Sequence, residues 1–340
     1  MQRSRQKETC FWQLSNNDRI KLMLLNIALL VGGLIVLVKA SDVFVDAASS
    51  LATKLRVPKT LIALTIAAFG TCAPELAISF NSIATHNYDM TLANVIGSCV
   101  VNILLIVGIA TIVNPIRVRS RIIHNELPFL VLTSGLFFLL LNDSFFGKKN
   151  GLSRVDAGIL LGVFVLFIVY IVLAYVYRHP KKRGRPPKAK YSMGVSILLI
   201  IVTLALIAVA SDFVVDKAKL VALALGVSEK LVAMTIIVIG TSLPELVMTA
   251  TAARKGEFEL AVGNIIGTNI FNICIVLGLP ILIFGGFESG NFNIIDALAV
   301  LLAAVVYYAC GYSGKKLIRK EGILMVAIFV AYYIYVFVGQ

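Results

Sequence analysis

Apolar residues along this chain gather into runs of about twenty, separated by short polar turns, and no stretch alternates apolar with polar over the length of a barrel strand. A helix of that length spans the hydrocarbon layer of a bilayer. The pattern therefore predicts an all-α membrane protein with ten transmembrane helices. They fall at roughly 22–41, 60–85, 91–113, 122–142, 155–177, 192–211, 229–253, 259–285, 293–312 and 320–338. The first and sixth runs continue into amphipathic stretches, Asp42–Leu55 and Asp212–Leu225, so each is expected to be one long tilted helix.

The pattern also repeats. Shifted by 170 residues, the chain lies over itself without a gap from 42 to 109, with 22 identical pairs in 68. Shared apolar composition accounts for some of these. It does not place Asp42, Asp46, Thr71, Glu75, Asn94 and Asn102 over Asp212, Asp216, Thr241, Glu245, Asn264 and Asn272. Five spans separate equivalent positions, and an odd number reverses direction. The expectation is two inverted five-helix repeats related by a two-fold axis in the membrane plane, with a site between them near mid-bilayer.

Each repeat carries two polar segments inside apolar runs. The first is Gly70–Glu75 ("GTCAPE") or Gly240–Glu245 ("GTSLPE"). The second is Asn94–Ser98 ("NVIGS") or Asn264–Thr268 ("NIIGT"). Glycine and proline four apart are expected to break the helix and free backbone carbonyls, which is tolerated at membrane depth only inside protein or beside a polar cavity. Both segments are expected to be interrupted. Carbonyls, hydroxyls, amide oxygens and carboxylates together form an all-oxygen donor set suited to hard cations such as Na⁺ and Ca²⁺. Glu75 and Asn102 are 27 apart, as are Glu245 and Asn272, so the two segments of a repeat can meet. The candidate cage is Thr71, Glu75, Ser98 and Asn102 with Thr241, Ser242, Glu245, Thr268 and Asn272. Its two carboxylates carry −2, which one Ca²⁺ or two monovalent cations neutralise. A buried salt bridge is the bland explanation for one intramembrane glutamate. It fits poorly for two symmetric ones with no intramembrane arginine.

Composition agrees with the pattern. Of 340 residues, 59% are hydrophobic and 14% charged, with mean hydropathy +0.92. A soluble chain carries about 25% charged residues. The net charge of +13 does not point to nucleic acid, because the basic residues sit in short loops between apolar runs. One set of alternate loops holds nineteen Lys/Arg and the opposite set six. The richer side is expected to be cytoplasmic, which puts both termini outside a plasma-membrane protein.

The expected organisation is a basic tail (1–21), repeat one (22–178), a basic linker (179–190) and repeat two (191–340). The tail holds five Lys/Arg on the side predicted to be outside. Either it is translocated despite its charge, or the natural start is Met23. It does not read as a signal peptide. The linker within "RHPKKRGRPPKAKY" reads as solvated, with anionic lipid as the alternative contact. The five cysteines form no CxxC and read as small apolar residues, and the three histidines form no metal motif. Asp42, Asp46, Asp212 and Asp216 read as interfacial caps or as attractors of cations at an entrance. Lys39 is expected to snorkel, and Tyr332, Tyr333 and Tyr335 to form an interfacial belt or packing.

Paired "GTxxPE" and "GNxIGxxxxNI"-like segments in two five-helix halves resemble the cation/Ca²⁺ exchanger superfamily, and are most similar to prokaryotic Na⁺/Ca²⁺ exchangers. The resemblance covers residues 23–340. It implies two long helices that slide against a core, alternating access, and Ca²⁺ extrusion driven by Na⁺. It places ligands on Thr71, Glu75, Ser98, Asn102, Thr241, Ser242, Glu245 and Thr268 and on the carbonyls of Ala68 and Val238. Two positions depart from it. Cys72 stands where repeat two has Ser242 and is a poorer ligand for hard cations. Asn272 stands where the three-carboxylate archetype has Asp, so the site is one charge short.

The expected function is a Ca²⁺ antiporter driven by Na⁺. The alternative is a Ca²⁺/H⁺ or other cation/H⁺ antiporter on the same fold. A passive channel and a membrane-embedded enzyme are the remaining readings. The chain has no nucleophile–base pair and no HExxH, and needs no cofactor beyond the ions it carries.

Overall fold

The computed structural model describes residues 16–142, 150–176, 189–225, 238–288 and 294–338. Most of the basic tail, most of the linker and the start of the seventh apolar run lie outside the described residues.

Every apolar run is helical where it is described. The first forms one helix with its amphipathic extension, α1 (Asn16–Leu55), as expected. It begins six residues earlier than the sequence reading placed it, because Asn16–Lys21 continues the helix instead of belonging to a tail. The second run is α2 (Lys59–Ile62), a π-helical turn (Ala63–Ala67) and α3 (Ala68–Thr71), followed after Cys72 by α4 (Ala73–Ala84). The third is α5 (Tyr88–Val100), a π turn (Val101–Ile106) and α6 (Val107–Val113). A π turn (Ile122–Glu126) leads into α7 (Leu127–Leu141), and α8 is Arg154–Val176.

In the second half, α9 (Met193–Ala224) is again a run fused to its extension. Then come α10 (Val238–Thr241), α11 (Leu243–Arg254), and α12 (Phe258–Phe271) with a π turn (Asn272–Val276) and α13 (Gly278–Phe284). Last are α14 (Ile294–Gly314) and α15 (Arg319–Val338). Among the described residues, seven helices are long and apolar enough to cross a membrane, and the pair bent by 47° at Cys72 makes eight.

Burial separates core from periphery. The most apolar windows of Tyr88–Val113 and Phe258–Phe284 are 78% and 83% buried, whereas those of α1, α8 and α9 are 17%, 28% and 28% buried. The first pair forms the centre. Helices α1 and α9 pack along each other on the outside, and lipid is the natural cover for their apolar outer faces. Where α12 meets the second run, two glycines allow close approach. A Cβ at Gly263 would lie 2.8 Å from Cβ of Ala63, and one at Gly267 would lie 2.8 Å from Cα of Leu64.

The two halves share local geometry at the 170 offset. α4 and α11 have matching bounds, and α3 and α10 end alike, at Thr71 and Thr241. His86 and Gly256 both take positive φ, 57° and 73°, at the turn that follows. The next amides close that turn alike, Asn87 N–H on Ser82 O at 2.7 Å and Glu257 N–H on Ala252 O at 2.8 Å. Two short strand pairings match in kind. β1 (Gly151–Leu152) pairs with β2 (Phe287–Glu288), and Arg117 bridges Lys316.

Candidate ion-binding site

The break in the second run has a simple cause. Proline lacks an N–H, so Pro74 cannot donate to Gly70 O, and Pro244 cannot donate to Gly240 O. The chain turns at Cys72 (φ −79°, ψ 1°) and at Ser242 (φ −86°, ψ 9°), and a new helix starts. Glu75 and Glu245 fall in the first turns of α4 and α11, the helix ends that favour negative charge.

The "NVIGS" and "NIIGT" segments are not interrupted. α5 and α12 run straight through them. They contain no proline, and a lone glycine is tolerated in a helix at a cost of about 1 kcal/mol. The irregularity lies further along, in the π turns that begin at Val101 and Asn272. These turns carry Asn102 and Asn272. Single π turns are frequent at functional sites because they re-aim side chains.

The halves interlock across the centre. α4 packs on the π turn at Asn272–Val276, and α11 packs on the one at Val101–Ile106. α3 packs on α12, and α10 on α5. Glu75, Glu245, Asn102, Asn272, Ser98, Thr268, Ser242 and Cys72 are fully buried, as are Thr71 and Ala68 within 1%. Thr241 is partly buried at the end of α10, and Val238 begins that helix.

Ser98 on α5 and Glu75 on α4 sit on packed helices of one repeat, as Thr268 on α12 and Glu245 on α11 do in the other. The two carboxylates sit on α4 and α11, the helices that pack on the central π turns, with Cys72 at the break three residues before Glu75. Its thiol donates to Thr268 O at 3.8 Å.

Buried polar atoms are nearly always satisfied in folded proteins. Here both oxygens of Glu75 and Glu245, both amide atoms of Asn102 and Asn272, and the hydroxyls of Ser98, Ser242 and Thr268 have no protein hydrogen-bond partner. Burial without a partner costs several kcal/mol for a charged group. The concentration of such atoms on these packed helices makes this the candidate ligand site. Among the described residues no three of His, Cys, Asp and Glu cluster as a metal centre, so the donors are carboxylate, amide and hydroxyl oxygen with one sulfur.

One expected donor is already engaged. The Ala68 carbonyl accepts the Cys72 N–H at 3.1 Å and the Thr71 hydroxyl at 3.4 Å, because the helix before the break keeps its own bonding.

Sequence reasoning left Asn94 and Asn264 out of the site, although the repeat aligned them. The structure shows Asn94 Nδ2 donating to Glu75 O at 3.1 Å and to Ser79 Oγ at 3.4 Å, and Asn264 Nδ2 donating to Thr249 Oγ1 at 3.4 Å. They brace the glutamate helix against the asparagine helix. Ser41 and Ser211, also 170 apart, are buried on the inner faces of α1 and α9 and were not singled out either.

Comparison with known proteins places this geometry. The family described as sodium/calcium exchanger protein matches residues 25–173 and 195–338. The inner membrane protein YrbG of Escherichia coli is 35% identical over 91% of this chain and 96% of its own length. The putative antiporter CaxA of Alkalimonas amylolytica is 35% identical over 88% and 95%. A solved structure of the sodium-calcium exchanger NCX_Mj superposes with a TM-score of 0.78 at 29% identity, covering 91% of this chain and 97% of that one.

Proposed function

Because the chain belongs to the sodium/calcium exchanger family, we propose that it is a secondary antiporter that extrudes Ca²⁺ in exchange for Na⁺ by alternating access. The ion is held at mid-membrane by Thr71, Glu75, Ser98, Asn102, Thr241, Ser242, Glu245, Thr268 and Asn272. Cys72, Ala68 and Val238 lie at its edge. The observation that carries this reading is the cluster of buried side-chain oxygens without protein partners, centred on Glu75 and Glu245.

The fold reading goes with it. The eight spans counted by length and apolarity become ten when α15 and the run ending in α11 are included. The 170-residue offset in helix bounds, turns and hydrogen bonds supports two repeats. Their odd span number inverts them, which suits a path open alternately to each side. The Lys/Arg bias puts the Arg254–Lys255 end in the cytoplasm and both termini outside the plasma membrane.

Charge sets the stoichiometry. Glu75 and Glu245 supply −2, and the asparagines at 102 and 272 are neutral. One Ca²⁺ balances the site, and so do two monovalent ions, which gives an electroneutral exchange. Two buried carboxylates without cationic partners also take up protons readily, so the same observation favours H⁺ as the alternative counter-ion.

Proteoliposomes loaded with Na⁺ and diluted into ⁴⁵Ca²⁺ test the reading. Uptake that requires the outward Na⁺ gradient supports Na⁺/Ca²⁺ exchange. Uptake driven by a pH gradient alone assigns H⁺ instead. Uptake indifferent to both gradients removes the antiporter reading.

A further inference from the structure

The two ends of the ion path are related by the 170 offset, yet they are built differently. At one end, α1 packs along α11. Ser41 Oγ donates to Val247 O at 3.3 Å. Asp42 pairs with Arg254 at 2.7 Å, and Lys255 holds both Asp42 O and Asp46 Oδ1 at 2.7 Å. Lys190 holds the other oxygen of Asp46 at 2.6 Å. Both aspartates at this end are neutralised by direct contacts.

At the other end, the counterparts of Arg254 and Lys255 are Ala84 and Thr85, so α4 offers α9 no cation there. Ser211, the counterpart of Ser41, is buried on α9 with an unpartnered hydroxyl. Ala73 and Ala77 of α4 are exposed, whereas their counterparts Leu243 and Val247 are partly covered. Asp216 is 74% exposed and, among the described residues, pairs only with its helical neighbour Lys219, at 3.8 Å. Asp212 is exposed, makes no ion pair among the described residues, and lies on α9, which packs on α3 just before the break that carries Glu75. The charged groups nearest it along its own helix are Asp216 and Lys219.

We infer that Asp212 is a positioning residue for the transported cation, the acidic port through which a hydrated divalent ion reaches Glu75 from the end opposite Arg254 and Lys255. An uncompensated carboxylate at the mouth of a cleft with low-dielectric walls raises the local concentration of cations. Its partner on the pseudo-two-fold axis, Asp42, has that role cancelled by Arg254 and Lys255. The port is therefore one-sided. The unpartnered hydroxyl of Ser211, buried one residue before Asp212 on the same helix, is a second polar group at this end. The inference rests on the reading of Glu75 as a ligand for the carried ion.

Sided ⁴⁵Ca²⁺ flux in oriented vesicles tests it. Asp212→Asn is expected to raise the KM for Ca²⁺ roughly tenfold from the Asp212 face at low ionic strength, with the maximal rate unchanged. The KM from the Arg254 face stays as in the unmodified chain. The effect shrinks as salt screens the carboxylate, and Asp212→Glu restores the KM because it keeps the charge. A KM that does not move, a loss of rate equal from both faces, or an Asp212→Glu variant no better than Asp212→Asn overturns the port. Failure of the unmodified chain to exchange Ca²⁺ overturns the functional reading and the port with it. Exchange that is intact and indifferent to Asp212→Asn overturns the port alone.

Discussion

Glu75 and Glu245 show how a residue that is costly in isolation becomes the reason for a fold. Each is fully buried with neither oxygen satisfied by protein, and each has Ser, Thr and Asn groups around it that are also unsatisfied. Neutralising one leaves −1 to hold a dication. Leaving a buried charge uncompensated costs about 3–5 kcal/mol. Glu75→Gln and Glu245→Gln are therefore each expected to lower ⁴⁵Ca²⁺ uptake at least about a hundredfold. Unchanged uptake in both variants removes these residues from the site. Cys72 is the one soft atom among hard donors, and the matching position is Ser242. Replacing it with Ser makes the two halves alike. Cys72→Ser is expected to raise the Cd²⁺ concentration that half-inhibits uptake, relative to the KM for Ca²⁺, by roughly tenfold, because thiols favour soft cations. A ratio that stays constant would place the thiol outside the ion's reach.

At the scale of elements, the site is made by two kinds of irregularity, and the sequence disclosed them unevenly. The bend at Cys72 was legible, since proline cannot donate and the residue four before it loses its partner. The π turns were not, because Val101–Ile106 and Asn272–Val276 are apolar stretches with no marker except one asparagine each. Reading "NVIGS" as a break failed because a lone glycine without proline does not break a helix. At Gly267 the Leu64 backbone takes the space of a side chain. Gly267→Val drives a Cβ into that backbone and pushes α12 away from the second run. It is expected to cost about 1–3 kcal/mol, read as a lower unfolding midpoint in detergent. Gly158→Ala, on α8 where nothing lies within 4 Å of the new Cβ, is expected to hold or raise that midpoint by up to about 1 kcal/mol. If both variants behave alike, close approach is not what Gly267 provides.

At the scale of the whole molecule, the repeat supplies symmetry and the surface charges break it. Asp46, Lys255 and Lys190 tie α1 to α11 and to the start of α9 at one end. Exposed pairs are worth about 0–1 kcal/mol each, so ordinary fluctuations break the individual contacts of this network. Asp46→Lys and Lys255→Asp are each expected to change the exchange rate from that face. The double swap should return it, with a coupling of about 0.5–1 kcal/mol in a double-mutant cycle. Additive single effects would show that the pair does not gate that end. The charge count at the site belongs to this scale too. With −2 balanced by one Ca²⁺ or by two monovalent ions, ⁴⁵Ca²⁺ flux is expected to be independent of membrane potential clamped with K⁺ and valinomycin. A flux that follows the potential would require a third counter-ion.

The sequence by itself determined the membrane class, the helical runs, the duplication and most of the buried polar residues of the candidate site. Hydrophobic length, proline chemistry and the rarity of buried carboxylates act locally along the chain and can be read without coordinates. Only the tertiary structure decided that the donors from residues 71–102 and 241–272 share one buried place. It also decided that the Ala68 carbonyl keeps its helical bonds, and that Asn94 braces the helix of Glu75. The difference between Asp42 and Asp212 was likewise hidden in the alignment, which makes them equivalent. They differ because the fold brings Arg254 and Lys255, more than two hundred positions away in sequence, to Asp42, while the positions that match them at the 170 offset, 84 and 85, hold Ala and Thr. Charge compensation depends on distance in space, and the order of residues along the chain does not record it.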